Sequence, residues 1–198
     1  IKELDFKLDN FFCSFQKRAI NTLELIMDIL KVKKEKIIKA WELNERHYGE
    51  LTGLNKDEMK KVYGKKKIQI FRRSWNVAPA PLDKNNPYHP INIKIYKEIS
   101  LKKIPSTESL KDVHNRVMPY FKNNIEKLLN NKKNVIISAH GNSIRALCKT
   151  LFNLSKTNIR KLEIPTGNPL LITLTKDLEV KKCKYLNPKR AKNIFFNV

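Results

Sequence analysis

Val135-Ile136-Ile137-Ser138-Ala139-His140-Gly141-Asn142-Ser143 is the stretch that sets the fold class of this chain. The short apolar run Val135 to Ser138 has the length of a strand, and one without polar alternation belongs in a parallel sheet covered on both faces. It leads directly into Ala139-His140-Gly141-Asn142-Ser143 and a helix predicted over Ile144 to Phe152. Strand, tight glycine turn and helix form the layout that gathers backbone N–H groups and a helix N-terminus around an anion. His140 falls at the carboxyl end of the strand, where open α/β sheets keep their ligand crevices, and Gly141 permits close backbone approach. A lone histidine in apolar surroundings is more often structural; the His-Gly-Asn turn favours a site.

Upstream, Phe6 to Cys13 reads as another strand, with Ser14 as the N-cap of a helix that runs to Leu30 and turns Ile20, Leu23, Met27 and Leu30 to one side. Arg18 sits in the first turn of that helix, where a cation opposes the helix dipole and calls for an anion, a role a surface salt bridge fills equally well. Ile37 to Trp41 reads as a further strand. Asn55, with Glu58 three residues on, starts a helix interrupted near Gly64 that runs toward Phe71-Arg72-Arg73. Pro79, Pro81, Pro87 and Pro90 exclude regular structure from 77 to 90. Ser109 to Leu129 has helical spacing at Leu110, Val113, Val117 and Phe121, with a kink or boundary at Pro119. Leu170 to Leu174 reads as a last strand, and the basic tail from Lys181 carries no signal of its own.

Between the second strand and Asn55 lies Glu42-Leu43-Asn44-Glu45-Arg46-His47-Tyr48-Gly49-Glu50-Leu51-Thr52-Gly53-Leu54-Asn55-Lys56. It holds acids, an arginine, an imidazole and a phenol with two glycines and no hydrophobic period, as a polar site does; a charged surface loop is the plainer alternative. Neighbouring positive charge keeps Glu45 ionised and able to accept a proton, although pairing with an arginine explains it too. The imidazole of His47 reads as structural on its own account.

Lys and Arg number 41 against 19 Asp and Glu, a formal net charge of +22. Such a surface attracts nucleic acid, anionic membranes or acidic small molecules. The lysines fall in runs and read as solvated faces, whereas Arg18, Arg46, Arg72, Arg73 and Arg145 fall within or beside the polar segments. Guanidinium forks match phosphate and carboxylate bidentately, which favours a small anion. The aromatic residues are not interleaved with the basic ones as a base-stacking platform requires, so nucleic acid is disfavoured. No apolar run is long enough to span a bilayer, no signal peptide opens the chain, and scattered Cys13, Cys148 and Cys183 read as reduced core thiols. A cytoplasmic protein without metal or disulfide is expected.

These segments, together with Lys17-Arg18-Ala19, Phe71-Arg72-Arg73-Ser74-Trp75, Thr107-Glu108-Ser109-Leu110-Lys111-Asp112 and Ile164-Pro165-Thr166-Gly167, resemble the cofactor-dependent phosphoglycerate mutases of the histidine phosphatase superfamily in the family's order and over nearly the whole chain. The resemblance implies a three-layer α/β/α fold with a mostly parallel sheet, forming a single domain over residues 1–198. It further implies interconversion of 3-phosphoglycerate and 2-phosphoglycerate through a phosphohistidine enzyme primed by 2,3-bisphosphoglycerate, with no metal. By the same resemblance Glu45 is the proton donor and acceptor and His140 stabilises the phosphoryl group in flight. Arg18, Gly141 and Asn142 bind that group; Arg46, His47, Tyr48, Lys56, Arg72 and Arg73 hold the rest of the substrate. Partners are phosphoglycerates, with no nucleic acid or membrane, and a homo-oligomer is compatible. The family's nucleophilic histidine, in an Arg-His-Gly segment, has no counterpart in residues 1–198 and is expected upstream of Ile1 in a longer parent. Bisphosphoglycerate synthesis or hydrolysis, or an inactive anion-binding homologue, are the alternatives.

Overall fold

A computed structural model describes residues 1–4 and 6–191. In chain order the elements are β1 (Asn10–Cys13), α1 (Lys17–Ile29), β2 (Ile37–Lys39), α2 (Lys56–Tyr63), α3 (Lys65–Arg73), α4 (Leu110–Tyr120), a π-helical turn Phe121–Glu126, α5 (Lys127–Asn130), β3 (Val135–Ser138), α6 (Gly141–Leu151), α7 (Lys156–Lys161), β4 (Leu170–Leu174) and β5 (Val180–Tyr185). They fall into two compact units, residues 1–45 with 115–198, and residues 46–114.

The first unit is built on a parallel sheet of order β2-β1-β3, with Phe11 opposite Ile37 on one side and Ile136 on the other. The two-residue period of β1 sends its side chains to opposite faces. Phe11 and Cys13 pack with Leu23 and Met27 of α1, whereas Phe12 meets the ring of Tyr120 edge-on at 6.3 Å. Helices therefore cover both faces, which is the three-layer α/β/α arrangement. Phe11 and Phe12 are fully buried, each stabilising the fold by about 1.5–3 kcal/mol. β1 is shorter than the predicted Phe6–Cys13 because below Asn10 the chain is held instead by Asn134, whose backbone N–H donates to Asp9 Oδ2 at 2.9 Å and whose side-chain amide donates to the Lys7 carbonyl at 2.8 Å. β2 likewise stops at Lys39, and Trp41 enters a 3-10 turn.

Three further expectations need correction. Ser14 does not cap α1; Gln16 occupies the N-cap position without a side-chain bond, because the Ser14 hydroxyl accepts the Gln16 N–H at 3.2 Å and faces His140. α6 begins at Gly141, three residues before Ile144, so the glycine is the first helical residue and not the apex of a turn. The basic tail contains β5, antiparallel to β4, and a bulge between Thr173 and Leu174 breaks the alternation that would have revealed it. Pro119, which cannot donate to a helical carbonyl, lies inside α4, and the helix widens into its π turn two residues later.

In the second unit, Asn55 Oδ1 accepts the N–H groups of Asp57 at 2.8 Å and Glu58 at 3.4 Å and so caps α2. Gly64, at φ 78°, separates α2 from α3. The proline segment is irregular as predicted and is pinned by backbone bonds, from Glu50 N–H to the Ala80 carbonyl and from Leu82 N–H to the Ser106 carbonyl, both 2.9 Å. Gly49 is obligatory here: its φ is 56°, and a Cβ would lie 2.1 Å from the Ala80 oxygen.

Candidate active site

Parallel pairing brings the carboxyl ends of β1 and β3 to the same edge, so the residues that follow them, Ser14 and His140, are neighbours although 126 positions apart. His140 takes the N-cap position of α6 in extended conformation, and its N–H is accepted by Ser143 Oγ at 3.0 Å. Its ring is held from both sides. Arg18 Nε donates to Nδ1 at 3.3 Å, and Nε2 lies 2.8 Å from the fully buried Ser14 Oγ. A guanidinium has no acceptor, so Nδ1 carries no proton; the neutral imidazole holds it on Nε2 and donates it to Ser14. Burial drives the His140 pKa down to about 4, against the attraction of the Glu45 carboxylate and with help from the Arg18 and Arg116 guanidinium charges. The imidazole is thus uncharged at neutral pH.

Glu45 ends the segment that precedes the second unit. Its carboxylate accepts the Asn142 side-chain amide at 2.9 Å, and its own N–H donates to Gln16 Oε1 at 3.2 Å. Asn142 is oriented in turn by Arg145, whose Nη1 donates to Asn142 Oδ1 at 3.1 Å and whose Nη2 donates to the Ile159 carbonyl. Arg116, on α4, donates to the carbonyls of Glu42, Asn44 and Glu45. An added Cβ at Gly141 would meet no atom within 4 Å, so neither packing nor backbone conformation demands glycine there. The space suits a ligand at the α6 N-terminus. A positive helix end beside the Arg18 guanidinium is the donor chemistry a phosphoryl group requires. Among the described residues no cluster of three or more His, Cys, Asp or Glu side chains can hold a metal ion.

The second unit carries the other predicted residues. Arg46 is buried, donates through Nη2 to the Phe71 carbonyl, and lies 4.4 Å over the Tyr48 ring. His47 fixes this loop through its backbone: its N–H donates to Glu108 Oε2 at 2.8 Å and its carbonyl accepts the Glu108 N–H at 2.9 Å. Its Nδ1 accepts the Gly49 N–H at 3.2 Å, and burial lowers its pKa, with Glu108 opposing and His89 assisting. Arg72 and Arg73 form the last turn of α3, where cations also complement the helix dipole. Lys56 is the first residue of α2, and its side chain lies outside the described residues.

The structure therefore gathers Arg18, Glu45, His140, Gly141 and Asn142 in one unit and places Arg46, His47, Tyr48, Arg72 and Arg73 in the other. Ser14, Gln16 and Arg116 escaped the sequence reading. Ser14 had a signal, since it directly follows a buried parallel strand; Arg116 had none, because it sits among the apolar repeats of an amphipathic helix.

The pattern of the histidine phosphatase superfamily (branch 1) matches residues 2–89 and 88–187. A 2,3-bisphosphoglycerate-dependent phosphoglycerate mutase of Pelagibacter ubique (strain HTCC1062) is 58% identical over 194 residues, spanning 98% of this chain and 81% of that protein. One from Hydrogenobaculum sp. (strain Y04AAS1) is 46% identical over 175 residues, 88% of this chain and 71% of that protein. Among solved structures, a mycobacterial glucosyl-3-phosphoglycerate phosphatase with inorganic phosphate superposes with a TM-score of 0.63 at 16% identity, over 95% of this chain and 80% of that one; it supports the fold alone. The chain belongs to the 2,3-bisphosphoglycerate-dependent phosphoglycerate mutase family, within branch 1 of the histidine phosphatase superfamily.

Proposed function

We propose that the parent of this chain interconverts 3-phosphoglycerate and 2-phosphoglycerate in the cytoplasm, as a metal-free phosphohistidine enzyme in which residues 1–198 form one mutase-type domain. 2,3-Bisphosphoglycerate supplies the phosphoryl group that primes the enzyme. Glu45 takes the proton of the attacking substrate hydroxyl and returns it to the leaving one. Arg18, the α6 N-terminus at Gly141 and the Asn142 amide hold the phosphoryl oxygens, and His140, fixed beside Arg18, stabilises the charge that develops there. Arg46, Tyr48, Lys56, Arg72 and Arg73 hold the remaining anionic groups of the substrate, with His47 ordering their loop.

The observation that carries this reading is the pairing of an ionisable carboxylate with a neutral, doubly anchored imidazole beside Arg18. Proton transfer and phosphoryl stabilisation thus fall to separate groups. His140 has both ring nitrogens engaged, which argues against it as the phosphoryl carrier. β3 presents an unpaired edge among the described residues, which a further parallel strand can extend. The test is conversion of 3-phosphoglycerate to 2-phosphoglycerate by the parent protein with and without 2,3-bisphosphoglycerate. Bisphosphoglycerate-dependent turnover is expected. Release of inorganic phosphate without isomerisation would replace the mutase reading by a phosphatase one, and no turnover with retained phosphoglycerate binding would leave an anion-binding homologue.

A further inference from the structure

We propose that Arg116 is the positioning residue of the Glu45 carboxylate, a role that rests on the proton-shuttle reading of Glu45. The guanidinium reaches from α4 to three backbone carbonyls of one irregular segment, with Nη1 on Glu42 and Nη2 on Asn44 at 3.0 Å and Glu45 at 3.4 Å. Its carbon lies 5.8 Å from the centre of the Trp41 ring, so the same segment also receives its face. Residues 44 and 45 lie outside helix and strand, and buried backbone acceptors outside regular structure need a donor.

The consequence falls on Glu45. Gln16 Oε1 fixes its N–H and Arg116 fixes its carbonyl, so both peptide planes flanking the Glu45 Cα are held before the side chain begins. The Asn142 amide, donating to the carboxylate at 2.9 Å, then helps to aim it. Asn44 ties the segment back to β1, its Oδ1 accepting the Phe15 N–H at 2.9 Å. A lysine at 116 keeps the charge but, as a point donor, cannot span three carbonyls.

Burial holds the neighbouring His140 imidazole neutral; of the charged groups bearing on it, Glu45 opposes this and Arg18 and Arg116 add to it. Arg116→Met removes fork and charge, whereas Arg116→Lys removes only the fork. In the parent protein, Arg116→Met is expected to lower kcat about 10²-fold with KM within about threefold, as a misaimed catalytic group does. Arg116→Lys is expected to lower kcat about tenfold. In NMR titrations the Glu45 side-chain carboxyl signal should shift in both variants, and the His140 titration should move to higher pH only in Arg116→Met. An unchanged kcat in either folded variant, or a higher KM at unchanged kcat, would overturn the proposal. If the parent shows no mutase turnover, the function fails separately and the Glu45 signal still decides: unmoved in both variants, it refutes positioning. Should Arg116→Met not fold, Arg116→Lys carries the test alone.

Discussion

His140 and His47 are both buried imidazoles with lowered pKa, yet their surroundings differ in kind. His140 is gripped by the side chains of Ser14 and Arg18, with the Glu45 carboxylate bearing on its charge. His47 packs at 6.0 Å from the ring of His89, uses its backbone to fasten Glu108, and accepts a local N–H in a turn. Desolvation lowers both, so burial alone does not mark a site. What separates them is that distant side chains bond both nitrogens of the His140 ring, whereas His47 meets its distant partner Glu108 through its backbone. The arginines follow the same division: Arg116 and Arg145 orient other residues of the first unit, while Arg72 and Arg73 stand at a helix end of the second.

The contrast breaks most readily at Glu45. Glu45→Gln in the parent protein keeps the shape and deletes the proton acceptor, so kcat should fall about 10²–10⁴-fold with KM little changed. Steady-state kinetics with 3-phosphoglycerate decide it; an unchanged kcat would reduce Glu45 to a partner of Asn142. Arg72→Ala and Arg73→Ala should act in the opposite sense, weakening phosphoglycerate binding about 10- to 100-fold each, the worth of a charge-assisted bond. Calorimetry beside a DNA titration across salt measures this, and loss of specific DNA binding in these variants would reverse the choice of small anion over nucleic acid.

Acid treats the two histidine settings alike. Each is less basic in the fold than a free histidine, which titrates near 6.5, so the unfolded chain binds more protons, and stability is complete above about pH 6.5 and falls as pH drops below it. With His140 held at about 4, its share of the loss at pH 5 is about 2 kcal/mol. Urea unfolding at pH 7 and pH 5 should show this loss, and His140→Gln should reduce but not abolish it, because His47 and His89 remain. A pH-independent stability would contradict the neutral assignments. Smallest is the cap of α2: Asn55→Ala should cost about 1 kcal/mol without altering kcat, a control on the second unit read from thermal unfolding.

How much of this was legible depended on whether a signal was local. The β3 strand, the Asn55 cap and the Gly64 break are written in neighbouring residues, and the structure keeps them at the predicted positions. Ser14 leaves the cap of α1 because a contact across 126 positions outweighs capping preference, and α6 starts at Gly141 because His140 and Ser143 close a capping box there. β5 was hidden by lysines and by a bulge that breaks the two-residue period. Glu45 and His140 stood out through glycine-bearing polar segments, whereas Arg116 acts on backbone carbonyls, an arrangement that leaves no trace in residue type.

The central claim, that His140 stabilises a phosphoryl group it does not carry, is tested most directly by treating residues 1–198 and the parent protein with 2,3-bisphosphoglycerate labelled in its phosphoryl groups and mapping any phosphohistidine. A histidine whose Nδ1 accepts from Arg18 and whose Nε2 donates to Ser14 has neither nitrogen free to attack. The account predicts label in the parent on a histidine other than His140, and none on His140 in either protein. Label at His140, or mutase turnover by residues 1–198 alone, would contradict it.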